Sequence, residues 1–350
     1  MSSCCAVRCS TSAAELMRRF LDLGDFSAEQ VQDLLALARR LEHTPEPQAL
    51  RGRILGLLFM NPSLRTLSSF QAGVARLGGS CFVITPGSGT WQLETRTGAV
   101  MDGAAAEHIR EGLPVLASYC DALGIRAFAD GKDLAAEISE SKFSAMSALI
   151  EKPLINLESA INHPCQALAD WKTLDELKLP RGAKFVLSWA YHPRALPLAV
   201  PAATVHMAAM RGMEVVVLRP EGFALPAAIM DKARRAAALS GGSVRESADR
   251  REAFADAHIV YAKEWAYTAA YGDETRDAEA RRPLRDWCLN ESWFAGASSD
   301  CRLMHCLPVR RNVALADELL DGARAVVLRQ AYNRLPAQMA VLHQMLKPAE

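Results

Sequence analysis

The sequence predicts an α/β protein made of two doubly wound parallel-sheet units, and three observations carry that expectation. Short apolar runs of strand length alternate with longer stretches of helical periodicity along most of the chain, the pattern of parallel βαβ units. Several of the runs, such as Ile54–Met60 and Glu214–Leu218, are nearly continuously apolar, as strands covered on both faces are. Three strand-like runs are followed by short polar clusters. Asn61-Pro62-Ser63-Leu64-Arg65-Thr66 follows Ile54–Met60, His163-Pro164-Cys165-Gln166 follows Pro153–Leu157, and His305-Cys306-Leu307-Pro308 follows Cys301–Met304. Ligands of open α/β sheets bind beyond the carboxyl ends of the strands, so these clusters are expected to meet in one crevice. Their Ser, Arg, Thr, His and Gln side chains offer many donors and almost no fixed negative charge. That is the chemistry of a site for a small, highly charged anion.

Element by element, residues 12–45 read as helical, with Ala13, Leu16, Met17 and Phe20 followed by Val31, Leu34, Leu35 and Leu37 at three- and four-residue spacing. After the strand Ile54–Met60, a helix is expected from near Ser68 to the glycine pair Gly78-Gly79. Cys81–Thr85 reads as a strand, Pro86–Gly89 as a loop, His108–Cys120 as a helix, Ala122–Phe128 as a strand and Phe143–Ile150 as a helix. A further helix opens after His163, where we place the boundary between the units. The second half repeats the theme, with strands Lys184–Trp189, Glu214–Leu218 and His258–Tyr261 separated by helices Ala202–Met210 and Ile229–Leu239. A last helix, about 334–347, is expected to pack back on the first unit. The division is thus 1–14 as a disordered tail, 15–162 as the first domain with the helix within 330–350 packed against it, and 163–329 as the second. Two stiff proline loops, His192–Pro197 and Arg219–Pro226, interrupt the second half, either as rigid crossovers or as substrate-facing loops.

Composition narrows the function classes. Forty basic residues balance forty acidic ones in 350, so no global field draws the chain to nucleic acid or to a membrane. Nine cysteines without regular spacing read as reduced thiols, and Cys4, Cys5 and Cys9 lack the neighbours a metal site needs. There is no run of about 18 apolar residues and no signal-like start. A cytoplasmic protein is expected.

Taken singly, each cluster has a plain structural explanation. Ser63 and Thr66 are ordinary helix caps, His163 a cap or core histidine, and Cys306 a buried thiol. Together with Arg126, at the end of the strand from Ala122, they place two arginines and a histidine at strand ends, which structure alone explains less readily. A thiol nucleophile is disfavoured, because neighbours on a strand such as His305 and Cys306 point to opposite faces. Glycine spacing matches no P-loop and no Gly-x-Gly-x-x-Gly, which argues against a nucleotide triphosphate and against a nicotinamide-dependent oxidoreductase, the alternative that Rossmann-like halves would suggest.

In this order, and over nearly the whole chain, the motifs resemble the aspartate/ornithine carbamoyltransferase superfamily. The Asn-Pro-Ser-x-Arg-Thr run, Trp91-Gln92-Leu93-Glu94, Met101-Asp102-Gly103, Tyr261-Ala262-Lys263 and the Trp189–Val200 proline loop are most similar to its N-acetylornithine and N-succinylornithine branch. The resemblance implies a homotrimer with shared active sites, a knotted second domain, no metal and no organic cofactor. It also implies transfer of a carbamoyl group from carbamoyl phosphate to the δ-amine of an N-acyl-L-ornithine, a step of arginine biosynthesis.

Residue by residue, it implies that Ser63, Leu64 (backbone), Arg65 and Thr66 hold phosphate, and that Trp91 reaches carbamoyl phosphate from a neighbouring subunit. Arg126, His163 and Gln166, with Pro164 and Cys165 beside them, bind and polarise the carbamoyl group, and Arg334 completes the carbamoyl phosphate site. Cys306 and Leu307 border both substrates, and Glu158 and Lys263 bind the amino-acid end. Catalysis itself is expected of Arg65, Arg126 and His163. Ala106, where the acetyl branch carries Glu and the succinyl branch Pro, and Ala314, where the acetyl branch tends to have Lys, favour a larger anionic acyl group. Leu67 stands where the family has a second Arg, Leu328–Tyr332 where an acidic stretch is usual, and Ser299–Arg302 where an Asn-rich approach is usual. These departures leave a divergent carbamoyltransferase with another acceptor, or a non-catalytic homologue, as alternatives.

Overall fold

The computed structural model describes residues 17–348; the tail 1–14 and its three cysteines lie outside them. Two five-stranded sheets, both wholly parallel, form the body of the molecule. The first contains β1 (Arg19–Phe20), β2 (Ile54–Phe59), β3 (Ser80–Ile84), β6 (Ala122–Arg126) and β7 (Leu154–Glu158), in the order β1-β7-β6-β2-β3. The short pair β4 (Leu93–Glu94) and β5 (Glu107–His108) stands apart from it. The second sheet contains β8 (Lys184–Trp189), β9 (Glu214–Leu218), β10 (Ser243–Ser247), β11 (Ile259–Lys263) and β12 (Arg302–Met304), in the order β10-β9-β8-β11-β12. Strand order reverses between β2 and β6 in one sheet and between β8 and β11 in the other. Each reversal opens a crevice at the carboxyl ends of its strands.

Burial explains why these runs are strands. Every residue of β6, β7, β8 and β11 is buried, which fits helices on both faces. The helices α1 (Ala28–His43), α2 (Leu64–Arg76) and α6 (Pro164–Glu176) all pack against the long C-terminal helix α12 (Val327–Leu346). That helix therefore touches both halves of the chain.

Several expectations need correction. Residues 17–45 do not form one helix: Arg19–Phe20 pairs with β7, Leu23–Asp25 is a 3-10 turn, and α1 begins only at Ala28. Phe20 owes its helix-like spacing to a core position, where its ring packs 5.3 Å from Phe26. Ser27 caps α1 through a reciprocal capping box with Gln30. Likewise α2 starts at Leu64 rather than near Ser68, because the Ser63 hydroxyl accepts the Thr66 N–H at 3.2 Å. The last helix begins at Val327 and accommodates Pro336 internally. The edge strand Ser243–Ser247 escaped detection because its sequence is mostly polar.

Candidate active site

A cavity of about 480 Å³ lies at the carboxyl ends of both sheets. From the first half it receives Ser63 and Arg65 at the start of α2, Arg126 at the end of β6, Glu158 at the end of β7, and His163 and Gln166 at the start of α6. Thr66 is buried beneath, where its Oγ1 accepts both the Ser63 hydroxyl at 2.9 Å and the Arg334 guanidinium at 2.6 Å. The last helix thus delivers Arg334 onto the first polar cluster, across 268 positions of sequence.

Four guanidinium groups line the cavity, and three of them, Arg65, Arg126 and Arg334, lie close enough to act on one another. Arg126 is ion-paired with Glu158 and stacks 4.3 Å from the Phe128 ring centroid. Arg65 and Arg334 have no carboxylate partner among the described residues, and Nε of each lacks a hydrogen-bond partner. Burial, reinforced for Arg334 by Arg65 and Arg126, pushes the Arg334 guanidinium down to about 10, and burial likewise lowers Arg65. Unneutralised buried cations are costly, and an anion of two or more charges is what relieves them.

His163 makes no cap hydrogen bond. Its Nε2 lies 3.3 Å from Glu158 Oε2, and its Nδ1 has no partner. Burial first, then Arg334, Arg126 and Arg65, holds its pKa well below the ordinary histidine value, so the ring is neutral. Burial pushes the Cys306 thiol up to about 11, which keeps it protonated and removes it as a nucleophile.

The second sheet contributes Lys263, at the end of β11, and the His305–Pro308 loop after β12. Lys263 Nζ donates to Glu264 at 2.9 Å, and Glu264 lies 3.4 Å from His305 Nε2. His305 Nδ1 accepts the Leu307 N–H at 2.9 Å. Leu307 is held at φ 56°, a left-handed conformation that a branched residue adopts at a cost.

Of the residues expected at the site, the cavity brings together Ser63, Arg65, Arg126, Glu158, His163, Gln166, Lys263, Cys306, Leu307 and Arg334. Leu64 is largely exposed, and Pro164 and Cys165 are buried behind the lining, with the Cys165 thiol raised by burial to about 12. Trp91 and Ala106 are outside it: Trp91 is 59% exposed and donates its indole N–H to Glu107 at 2.7 Å. The sequence reading missed Arg310, whose Nε donates to His192 Nε2 at 3.0 Å, and Phe128. The Arg310-Arg311 pair after His305–Pro308 and the proline loop at His192 were the available signals. Leu67 and Tyr332 do not line the cavity. Leu67 packs on the core, and Tyr332 lies on the outside of α12 beneath Arg329.

Residues 18–176 match the carbamoyl-P binding domain of aspartate/ornithine carbamoyltransferases, and residues 200–345 match their Asp/Orn binding domain. The chain belongs to the aspartate/ornithine carbamoyltransferase family. Among its relatives is the N-acetylornithine carbamoyltransferase of Xylella fastidiosa, 34% identical over 330 residues, covering 93% of this chain and 98% of that one. The N-succinylornithine carbamoyltransferase of Bacteroides thetaiotaomicron is 32% identical over 300 residues, covering 86% and 89%. A crystal structure of acetylornithine transcarbamylase complexed with acetylcitrulline superposes with a TM-score of 0.90 at 34% identity, covering 94% of this chain and 99% of that one. A variant of N-acetyl-L-ornithine transcarbamylase, with one glutamate replaced by alanine, is complexed with carbamyl phosphate and N-succinyl-L-norvaline; it superposes at 0.89 with 34% identity, covering 93% and 99%. These relatives place this carbamoyltransferase in the N-acylornithine branch of the family.

Proposed function

We propose that this carbamoyltransferase moves the carbamoyl group of carbamoyl phosphate to the δ-amine of an N-acyl-L-ornithine, giving N-acyl-L-citrulline and phosphate in arginine biosynthesis. The observation that carries the reading is the pair of unneutralised guanidinium groups, Arg65 and Arg334, facing one cavity with neutral His163. The α2 N-terminus with Ser63 and Arg65, joined by Arg334, holds the phosphate. Arg126, His163 and Gln166 surround the carbamoyl group, where the Arg126 guanidinium, a preorganised donor, stabilises the oxyanion formed as the amine attacks. Lys263, with Arg310 lining the same cavity, takes the α-carboxylate, and Glu158 and the Leu307 backbone orient the amine. Among the described residues the cavity offers only poor bases for the amine proton: burial and three arginines hold the pKa of His163 well below its ordinary value, and Glu158 is tied to Arg126. The departing phosphate is the remaining acceptor.

The assignment continues beyond the cavity. The boundaries 15–162 and 163–329, a homotrimer in which Trp91 and Ala106 enter a neighbour's site, a knot around the Trp189–Val200 loop and a cytoplasmic location belong to this reading. The exposure of Trp91 and Ala106 on one subunit supports sharing. Ala106 supports N-succinyl- over N-acetyl-L-ornithine, because it leaves no carboxylate to repel a second one. The glutamate-to-alanine relative bound to a succinyl compound is consistent with that preference. The test is to mix purified protein with carbamoyl phosphate and N-succinylornithine, N-acetylornithine, ornithine or aspartate and assay ureido products. Turnover with an N-acylornithine is expected; no product from any acceptor refutes an enzymatic role.

A further inference from the structure

Beneath the cavity floor lies a carboxylate that touches no substrate space. Asp170, one turn along α6 from Gln166, is fully buried. Its Oδ1 accepts the side-chain amides of Gln166 at 2.8 Å and Gln330 at 2.7 Å, and its Oδ2 accepts the Tyr261 hydroxyl at 3.0 Å. Gln330 spends its Oε1 on the His305 N–H and must donate its Nε2 to Asp170 Oδ1. That oxygen is therefore an acceptor whether or not the carboxyl carries a proton on Oδ2, and Gln166 presents its Nε2 to the same oxygen. The opposite end of the amide, Oε1, is then turned away. It is buried, has no hydrogen-bond partner, and belongs to a side chain lining the cavity. Gln330 extends the same arrangement, since its Oε1 accepts the N–H of His305 at 2.9 Å, at the base of the loop carrying Cys306 and Leu307.

We propose that Asp170 is a positioning residue that fixes the Gln166 amide with its oxygen toward the cavity, where it accepts an N–H of the carbamoyl group. The inference rests on the carbamoyl-transfer reading for the identity of the group bound. A flipped amide would set Gln166 Oε1 against the carboxylate and leave an N–H facing the carbamoyl nitrogen, so the site would lose an acceptor and gain a mismatched donor. Unpaired buried polar groups of this kind are strongly discriminating. Asp170 thus acts on the carbamoyl amide. Its link to the phosphate side runs through the charge of Arg334, and loss of a carboxylate facing that cation should not weaken phosphate binding by Arg65 and Arg334.

Asp170→Asn preserves shape but replaces one of the two acceptor oxygens with a donor, so Gln166, Gln330 and Tyr261 can no longer all donate to it and the hold on the Gln166 amide is weakened. Calorimetry with phosphonoacetamide, which carries the amide, and with inorganic phosphate, which does not, separates the two functions without requiring turnover. We expect Asp170→Asn to weaken phosphonoacetamide about tenfold or more while phosphate affinity changes less than about twofold. In steady-state kinetics kcat should fall about 10- to 100-fold, and the same change in a Gln166→Ala background should cost less than about twofold, because residues acting through one another are not additive. Equal weakening of both ligands marks Asp170 as merely structural and overturns the proposal. So does unchanged phosphonoacetamide affinity, or a full additional loss of kcat in the Gln166→Ala background. Absence of wild-type turnover with every acceptor would instead remove the carbamoyl-transfer reading, while the calorimetric comparison would still decide the amide orientation.

Discussion

Arg65→Ala should nearly abolish turnover and leave the unliganded protein at least as stable. Arg65 is half-buried, has no carboxylate partner among the described residues, and lies in a cavity shared with Arg126 and Arg334. In the unliganded state its charge is therefore a liability: burial and Arg126 both lower its pKa. A forked contact with phosphate amounts to two charge-assisted hydrogen bonds at roughly 1.5–3 kcal/mol each, so removal costs about 3–6 kcal/mol. At about 1.4 kcal/mol per decade, kcat/KM should fall by roughly two to four orders of magnitude. Arg65→Lys should recover only part, because a point charge does not reproduce the fork. The assay pairs colorimetric detection of the ureido product with thermal melting in the absence of phosphate. Activity within about tenfold of wild type, or a clear loss of stability with no ligand present, would refute the reasoning, since either would place Arg65 in the scaffold instead of the anion site.

Other outcomes follow from the same geometry. If Trp91 completes a neighbour's site, mixing Trp91→Ala with Arg65→Ala subunits should restore part of the activity; no recovery, with subunit exchange verified, argues for self-contained sites. Ala106→Glu should depress turnover of N-succinylornithine far more than that of N-acetylornithine, by about a few kcal/mol of like-charge repulsion; equal effects would remove the succinyl preference. Burial raises Asp170 from 3.8 to about 7. The folded state then binds the extra proton between these values, so ionisation of this group destabilises the fold as pH rises through that window. Asp170→Asn lacks this contribution, and its melting temperature relative to wild type should therefore climb from pH about 4 to about 7; a flat difference would show that Asp170 ionises normally.

Much of this arrangement was legible in the sequence, for physical reasons that differ by residue. Strands buried on both faces announce themselves as apolar runs, and polar clusters directly after them mark the crevice; hence Ser63, Arg65, Arg126, His163 and Gln166 could be found. The segment around Phe20 misled because a core-facing strand and turn can mimic helical spacing over a few residues. Arg310 was harder, since only the fold shows that it turns inward onto His192 while neighbouring Arg311 pairs with Asp317 and Asp321 at the surface. Leu67 lies outside the cavity lining and contributes apolar contact to the core. Nothing in the sequence singles out Asp170. Its significance needs Gln330 and Tyr261, from distant elements, to surround it.

The long reach of these contacts has an energetic consequence. Thr66, in the first polar cluster, receives a hydrogen bond from Arg334 in the last helix, and the neighbouring Gln330 ties that helix to both Asp170 and His305. The anion site is therefore complete only when α12 is docked on the first half of the chain; neither end of the chain holds it alone. A ligand that binds only the assembled arrangement stabilises the whole fold by mass action, about 2.7 kcal/mol at a hundredfold excess over its dissociation constant. The stabilisation also relieves the repulsion among Arg65, Arg126 and Arg334, so it should be largest for dianionic phosphate and decline with salt. Inorganic phosphate should raise the melting temperature of wild type and of Trp91→Ala alike, yet raise that of Arg65→Ala little. A phosphate shift that survives intact in Arg65→Ala would mean that the cations stabilise the fold by some route other than sharing one anion.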